Sequence, residues 1–109
     1  TVYGPGSYFA RDATYSARDT YSRPDPGTGL KRMFLCRLAL GAHTPVQPGR
    51  WTAPEPPTRD DERLLGVGEL KFDCTTDDHI VNGIPQVMVA FRDQQAVADY
   101  LLTFSFGPR

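Results

Sequence analysis

The sequence has 109 residues, enough for one small domain or a piece of a larger one. A net charge of −1, with 12 Lys and Arg spread along the chain, argues against a nucleic-acid surface and against recruitment to an anionic membrane. Hydrophobic residues at 39% are too many for disorder, and apolar runs such as Met33 to Cys36 and Val87 to Phe91 are far too short to span a bilayer.

The two cysteines, Cys36 and Cys74, lack CxxC spacing, which excludes a zinc knuckle and disfavours a disulfide framework. With no targeting segment in the sequence, they are read as reduced thiols of an intracellular protein, in the cytoplasm or nucleus. The abrupt opening at Thr1-Val2-Tyr3-Gly4 is read as a cut inside a domain.

In chain order, Gly4-Pro5-Gly6 predicts a turn, because proline fixes φ and glycine accepts positive φ. The SYFA segment that follows has strand composition. Residues 12–22 predict a short helix with Asp12 as N-cap and Ala13, Ala17 and Tyr21 on one face. Pro24, Pro26, Gly27 and Gly29 end it. KRMFLCRLAL, residues 31–40, predicts a central strand covered on both faces, with Arg37 needing a partner or a route to solvent.

Residues 41–71 read as a long connection carrying Pro45, Pro48, Pro54, Pro56 and Pro57, with one helical turn expected in TRDDERLL. QVMVAFR, residues 86–92, predicts a strand with Val87, Val89 and Phe91 on one face. DYLLTFSF, residues 99–106, predicts another, with Tyr100, Leu102, Phe104 and Phe106 sharing a face. One short helix among strands, without βαβ alternation, indicates an α+β domain with an antiparallel or mixed sheet.

The first 21 residues hold four tyrosines, at Tyr3, Tyr8, Tyr15 and Tyr21. Two of them could clasp a planar heteroaromatic ring, glycines could admit a ligand to the backbone, and Ser16 could bond a carboxamide on that ring. Half-buried packing is the other reading of the same rings. No GxxxxGK[ST] or GxGxxG is present, and His43 and His79 lack zinc-ligand spacing, so no metal is expected. His79 after two acids reads as a solvated loop histidine, and Cys74 as a buried thiol.

The segment YGPGSYFARDATYSARDTYSRPD resembles the nicotinamide pocket of the poly(ADP-ribose) polymerase family, the diphtheria-toxin-like ADP-ribosyltransferases. The likeness continues in KRMFLCRLALG, FDCTTDD, PQVMVAFRDQQA and DYLLTF, in the family's order. It implies the C-terminal part of a catalytic domain over 1–109, with a mainly antiparallel split sheet and the 41–71 connection inside it. NAD+ is the implied substrate and a protein, including the enzyme itself, the implied acceptor. The missing N-terminal half of the same domain is an implied partner.

Carried over by motif, Tyr8 matches the tyrosine of the family's His-Tyr-Glu triad and Tyr21 the second tyrosine stacking on nicotinamide. Ser16 matches the hydroxyl that bonds the carboxamide. Ala10 and Tyr3 match pocket-lining positions. The triad's third position falls on Val87, where the polymerising members carry glutamate. Valine accepts no hydrogen bond, so the resemblance implies transfer of single ADP-ribose units and not polymer synthesis. The triad histidine has no counterpart, and Pro5 stands where many members have lysine. A catalytically inactive interaction or NAD-binding module is the second reading.

Overall fold

The computed structural model describes residues 2–59 and 70–105. A four-stranded sheet carries the core. It contains β1 (Ser7–Ala10), β3 (His43–Pro45), β4 (Cys74–Thr76) and β7 (Val87–Ala90), in the order β1-β7-β4-β3. β1 and β4 run antiparallel to β7, whereas β3 lies parallel to β4. All of β4 and β7 is buried, with Cys74, Thr75 and Val89 fully so. Mostly strands with one short helix, these sheets are compatible with the expected α+β class.

Sheet register decides what faces the site. Ala10 pairs with Val87, Tyr8 with Val89, and Val89 with Thr75. Side chains alternate between faces, so Tyr8, Ala10, Val87, Val89 and Thr75 share one of them. Thr75 Oγ1 donates to the Tyr3 carbonyl at 2.6 Å and lays the N-terminal segment over that face.

Gly6 explains how β1 comes so close to β7. A Cβ at Gly6 would stand 2.4 Å from the Ala90 carbonyl oxygen and 2.8 Å from a Val89 methyl. The position therefore admits the neighbouring strand and not a ligand, which corrects the ligand-access expectation there.

The predicted 12–22 helix shortens to α1 (Ala13–Ser16). The Asp12 side chain makes no cap bond and instead pairs with Arg11 at 3.1 Å. After Ala17 the chain continues in turns, with the amides of both Tyr21 and Ser22 donating to the Arg18 carbonyl at 2.9 Å. Those turns are fixed from outside. Buried Lys31 donates through Nζ to the Ala17 carbonyl and pairs with Asp19 at 2.7 Å, while Ser22 Oγ donates to the Arg32 carbonyl at 2.6 Å. Tertiary contacts thus override a helical pattern of low intrinsic strength.

β2 (Lys31–Leu38) pairs antiparallel with β8 (Ala96–Phe104) in a separate two-stranded sheet. The expectation of a strand covered on both faces fails here. Phe34, Leu35, Tyr100 and Leu101 are all exposed, and no other described strand pairs with this ribbon. The radius of gyration is 16.3 Å, against about 13 Å for a compact domain near this size. A bulge between Leu35 and Cys36 sets Asp99 outside the ladder, and its carboxylate accepts from Arg37 Nε at 2.9 Å. Arg37 thus has the partner its sequence position required.

β5 (Ile80–Val81) and β6 (Ile84–Pro85) form a hairpin around Asn82-Gly83, both with positive φ. Asn-Gly is a strong two-residue turn signal, and it marks an element that the strand patterns above do not include. The 41–71 connection is more ordered than expected, since it contributes β3 and a bridge between Thr58 and Lys71. The expected helical turn in TRDDERLL lies mostly outside the described residues, and Thr58, its first residue, is in that bridge. Phe106 also lies outside them.

Candidate active site

The turn at residues 4–6 brings β1 into the sheet, and the Tyr8 hydroxyl closes it. That hydroxyl accepts from the Tyr3 amide at 2.8 Å and donates to the Gly4 carbonyl at 2.7 Å. The phenol is thereby satisfied within its own segment, and Tyr8 stays 40% exposed with its ring available on the cavity side.

A cavity of about 420 Å³ opens on this face. Its walls include Tyr3, Tyr8, Ala10, Ser16, Tyr21 and Val87, so every residue picked from the sequence lines one space. Its volume falls within the usual 300–1,000 Å³ of small-molecule sites. Val87 is 3% exposed and offers only methyl groups at the start of β7.

Tyr15 also lines the cavity, and the reading of the residues gave it no role there. Its ring stacks on that of Tyr21, with centroids 5.3 Å apart and planes 15° from parallel. The two hydroxyls are 3.3 Å apart, and the Arg18 guanidinium lies 4.4 Å from the Tyr15 ring centroid. The hydrogen bond to Tyr21, with burial adding to it, pushes the Tyr15 phenol up to about 12. The two tyrosines lie six positions apart, which on a continuous helix would set them on different faces. Ending the helix at Ser16 is what brings them together.

The polar groups of the cavity are few. Among the described residues, the Ser16 hydroxyl has no hydrogen-bond partner, so it is available to a ligand. Burial, together with Asp77 and Asp78, pushes the Tyr3 phenol above its ordinary value. The cavity thus combines an aromatic wall with two hydroxyls, those of Ser16 and Tyr3, that have no hydrogen-bond partner among the described residues.

Other candidates fall away from the cavity. His43 lies on β3 with Nδ1 3.1 Å from the Gly41 carbonyl. His79 is exposed 3.9 Å from Asp78, and neither histidine lines the cavity. The buried Cys74 thiol is pushed up by desolvation, which makes it a poor nucleophile. Among the described residues, no group of three or more His, Cys, Asp and Glu is placed to hold a metal ion, and no helix is long and apolar enough to cross a membrane.

A family profile described as the poly(ADP-ribose) polymerase catalytic domain matches residues 1–106. The chain belongs to this family. Protein mono-ADP-ribosyltransferase PARP14 of Homo sapiens is 38% identical over 105 residues, covering 94% of this chain. Protein mono-ADP-ribosyltransferase PARP12 of Mus musculus is 34% identical over 107 residues, covering 96% of the chain, and PARP10 of Mus musculus, under the same description, is 31% identical over 103. The chain spans only 5%, 13% and 10% of the lengths of these three relatives. The poly(ADP-ribose) polymerase resemblance read from the motifs is therefore correct, and the relatives' names match the mono-ADP-ribosylating branch.

Proposed function

We propose that the protein containing this chain transfers single ADP-ribose units from NAD+ to a protein acceptor and releases nicotinamide. The observation that carries this reading is the gathering of Tyr3, Tyr8, Ala10, Ser16, Tyr21 and Val87 around one cavity. In the reaction the bond between nicotinamide nitrogen and ribose C1′ breaks, and its electron pair leaves with neutral nicotinamide. An acceptor side chain then bonds to C1′ and loses its proton.

On this reading the chain's residues hold the leaving group. Tyr8 and Tyr21 present ring faces to nicotinamide, Ser16 donates to its carboxamide oxygen, and buried Val87 with half-buried Ala10 beside it limits water. Fixing the leaving group in one orientation lowers the entropic part of the barrier. Val87 supplies no acceptor to a ribose hydroxyl, so no second unit is activated for elongation. Neither His43 nor His79 lines the cavity, so neither takes the part of the family histidine in this reading. The intracellular setting belongs to the same proposal.

The test is incubation of the whole protein with NAD+, followed by mass spectrometry of the protein and of added acceptors. Adducts of one ADP-ribose per modified side chain are expected. Polymer on any side chain would overturn the assignment of Val87, and the absence of every adduct together with no nicotinamide release would favour the inactive module.

A further inference from the structure

We propose that Tyr15 is a positioning residue that fixes which face of Tyr21 receives nicotinamide; this rests on the NAD+ reading given above. The argument is geometric. Centroids 5.3 Å apart with planes at 15° describe rings in direct contact, so no third ring fits between them. One face of Tyr21 is therefore occupied by the protein itself, and a flat ligand is left with the other. The hydroxyls, 3.3 Å apart, add a second point of attachment at the far end of both rings.

The arrangement answers a specific need. Tyr21 is 58% exposed and follows a run of turns instead of standing on a helix. Without a partner, its ring would be free to leave the cavity wall, and ordering it on binding would cost affinity. Tyr15 sits at the end of α1, next to Ser16, and is itself held by the Arg18 guanidinium. Tyr21 and the Ser16 hydroxyl are thus held relative to each other before a ligand arrives. Tyr15 contributes to affinity through Tyr21 and not by its own contact with the ring.

The test is a double-mutant cycle in the whole protein, with nicotinamide as the probe and its Kd as the readout. Tyr15→Ala is expected to weaken nicotinamide binding about 3- to 10-fold, the range of one aromatic pair. Tyr15→Phe, which keeps the stack and loses the hydroxyl, should recover most of that loss. Tyr15→Ala added to Tyr21→Ala should cost nothing further, and KM for NAD+ should rise more than kcat falls. Losses that add in the double variant, or a Tyr15→Ala variant that binds as tightly as the parent, would overturn the inference.

A second measurement needs no ligand. The ring-proton resonances of Tyr21 in protein with labelled tyrosine should shift when Tyr15 is replaced by alanine, as the ring current of the stacked partner disappears. Unmoved resonances would overturn the inference at its structural root. If they move and the parent protein binds neither nicotinamide nor NAD+, the functional reading fails and takes the proposed role with it, while the stacked pair itself stands.

Discussion

The Tyr8 hydroxyl donates to the carbonyl of Gly4, four residues earlier, at 2.7 Å. The same oxygen accepts from the Tyr3 amide at 2.8 Å, so one side chain satisfies both ends of the turn that feeds β1. Tyr8→Phe keeps the ring and removes these two bonds. A loss of about 1–2 kcal/mol in stability is expected, with nicotinamide affinity reduced far less than by Tyr8→Ala. Chemical denaturation and calorimetric titration check the pair; equal affinity losses in both variants would show that the ring is not what the ligand meets.

Gly6 faces the Ala90 carbonyl across β1 and β7. Gly6→Ala places a methyl group 2.4 Å from that oxygen, and backbone must move to relieve it. A cost of roughly 1–3 kcal/mol is expected from the overpacking, along with displacement of Tyr8, which lies two residues on. A midpoint of thermal unfolding equal to that of the parent would contradict this close approach.

The Tyr15 phenol gives the protein an alkaline signature. Its folded-state value is raised from 10.0 to about 12, with the Tyr21 hydroxyl as the largest cause. Below pH 10 the resulting stability is fully present. Between about 10 and 12 the unfolded chain has released this proton while the folded chain retains it, so the contribution shrinks as pH rises. Tyrosinate absorbance should therefore show one late-titrating phenol, and Tyr21→Phe should move it earlier. A titration unchanged in Tyr21→Phe would sink the assignment.

Lys31 ties β2 to the turns that carry Tyr21. It is 3% exposed and bonds both the Ala17 carbonyl and Asp19. Lys31→Ala leaves these groups without its ammonium and opens a gap beneath residues 17–22. Stability should fall by about 1–3 kcal/mol, with nicotinamide affinity falling alongside it. Hydrogen exchange of the Tyr21 and Ser22 amides is the direct check: exchange as slow as in the parent would show that Lys31 does not hold this segment.

Membership of the family was legible because its motifs are short local patterns. The family resemblance of GPGSYFA and the positions after it picked out residues that line one cavity, and the strands at β1, β2, β7 and β8 followed from apolar alternation and runs. Side-chain period and turn chemistry are local properties, so one sequence suffices to read them. The cross-strand pairs Ala10–Val87 and Tyr8–Val89 were not readable, because register depends on which strands meet. Nor was the early end of α1, where Lys31 and Ser22 fix the following turns from outside the helix. That termination decides the role of Tyr15. Helical spacing sets Tyr15 and Tyr21 on different faces, whereas the folded chain turns Tyr21 back onto it, because contacts made at a distance in sequence outweigh the weak helical preference of a few residues.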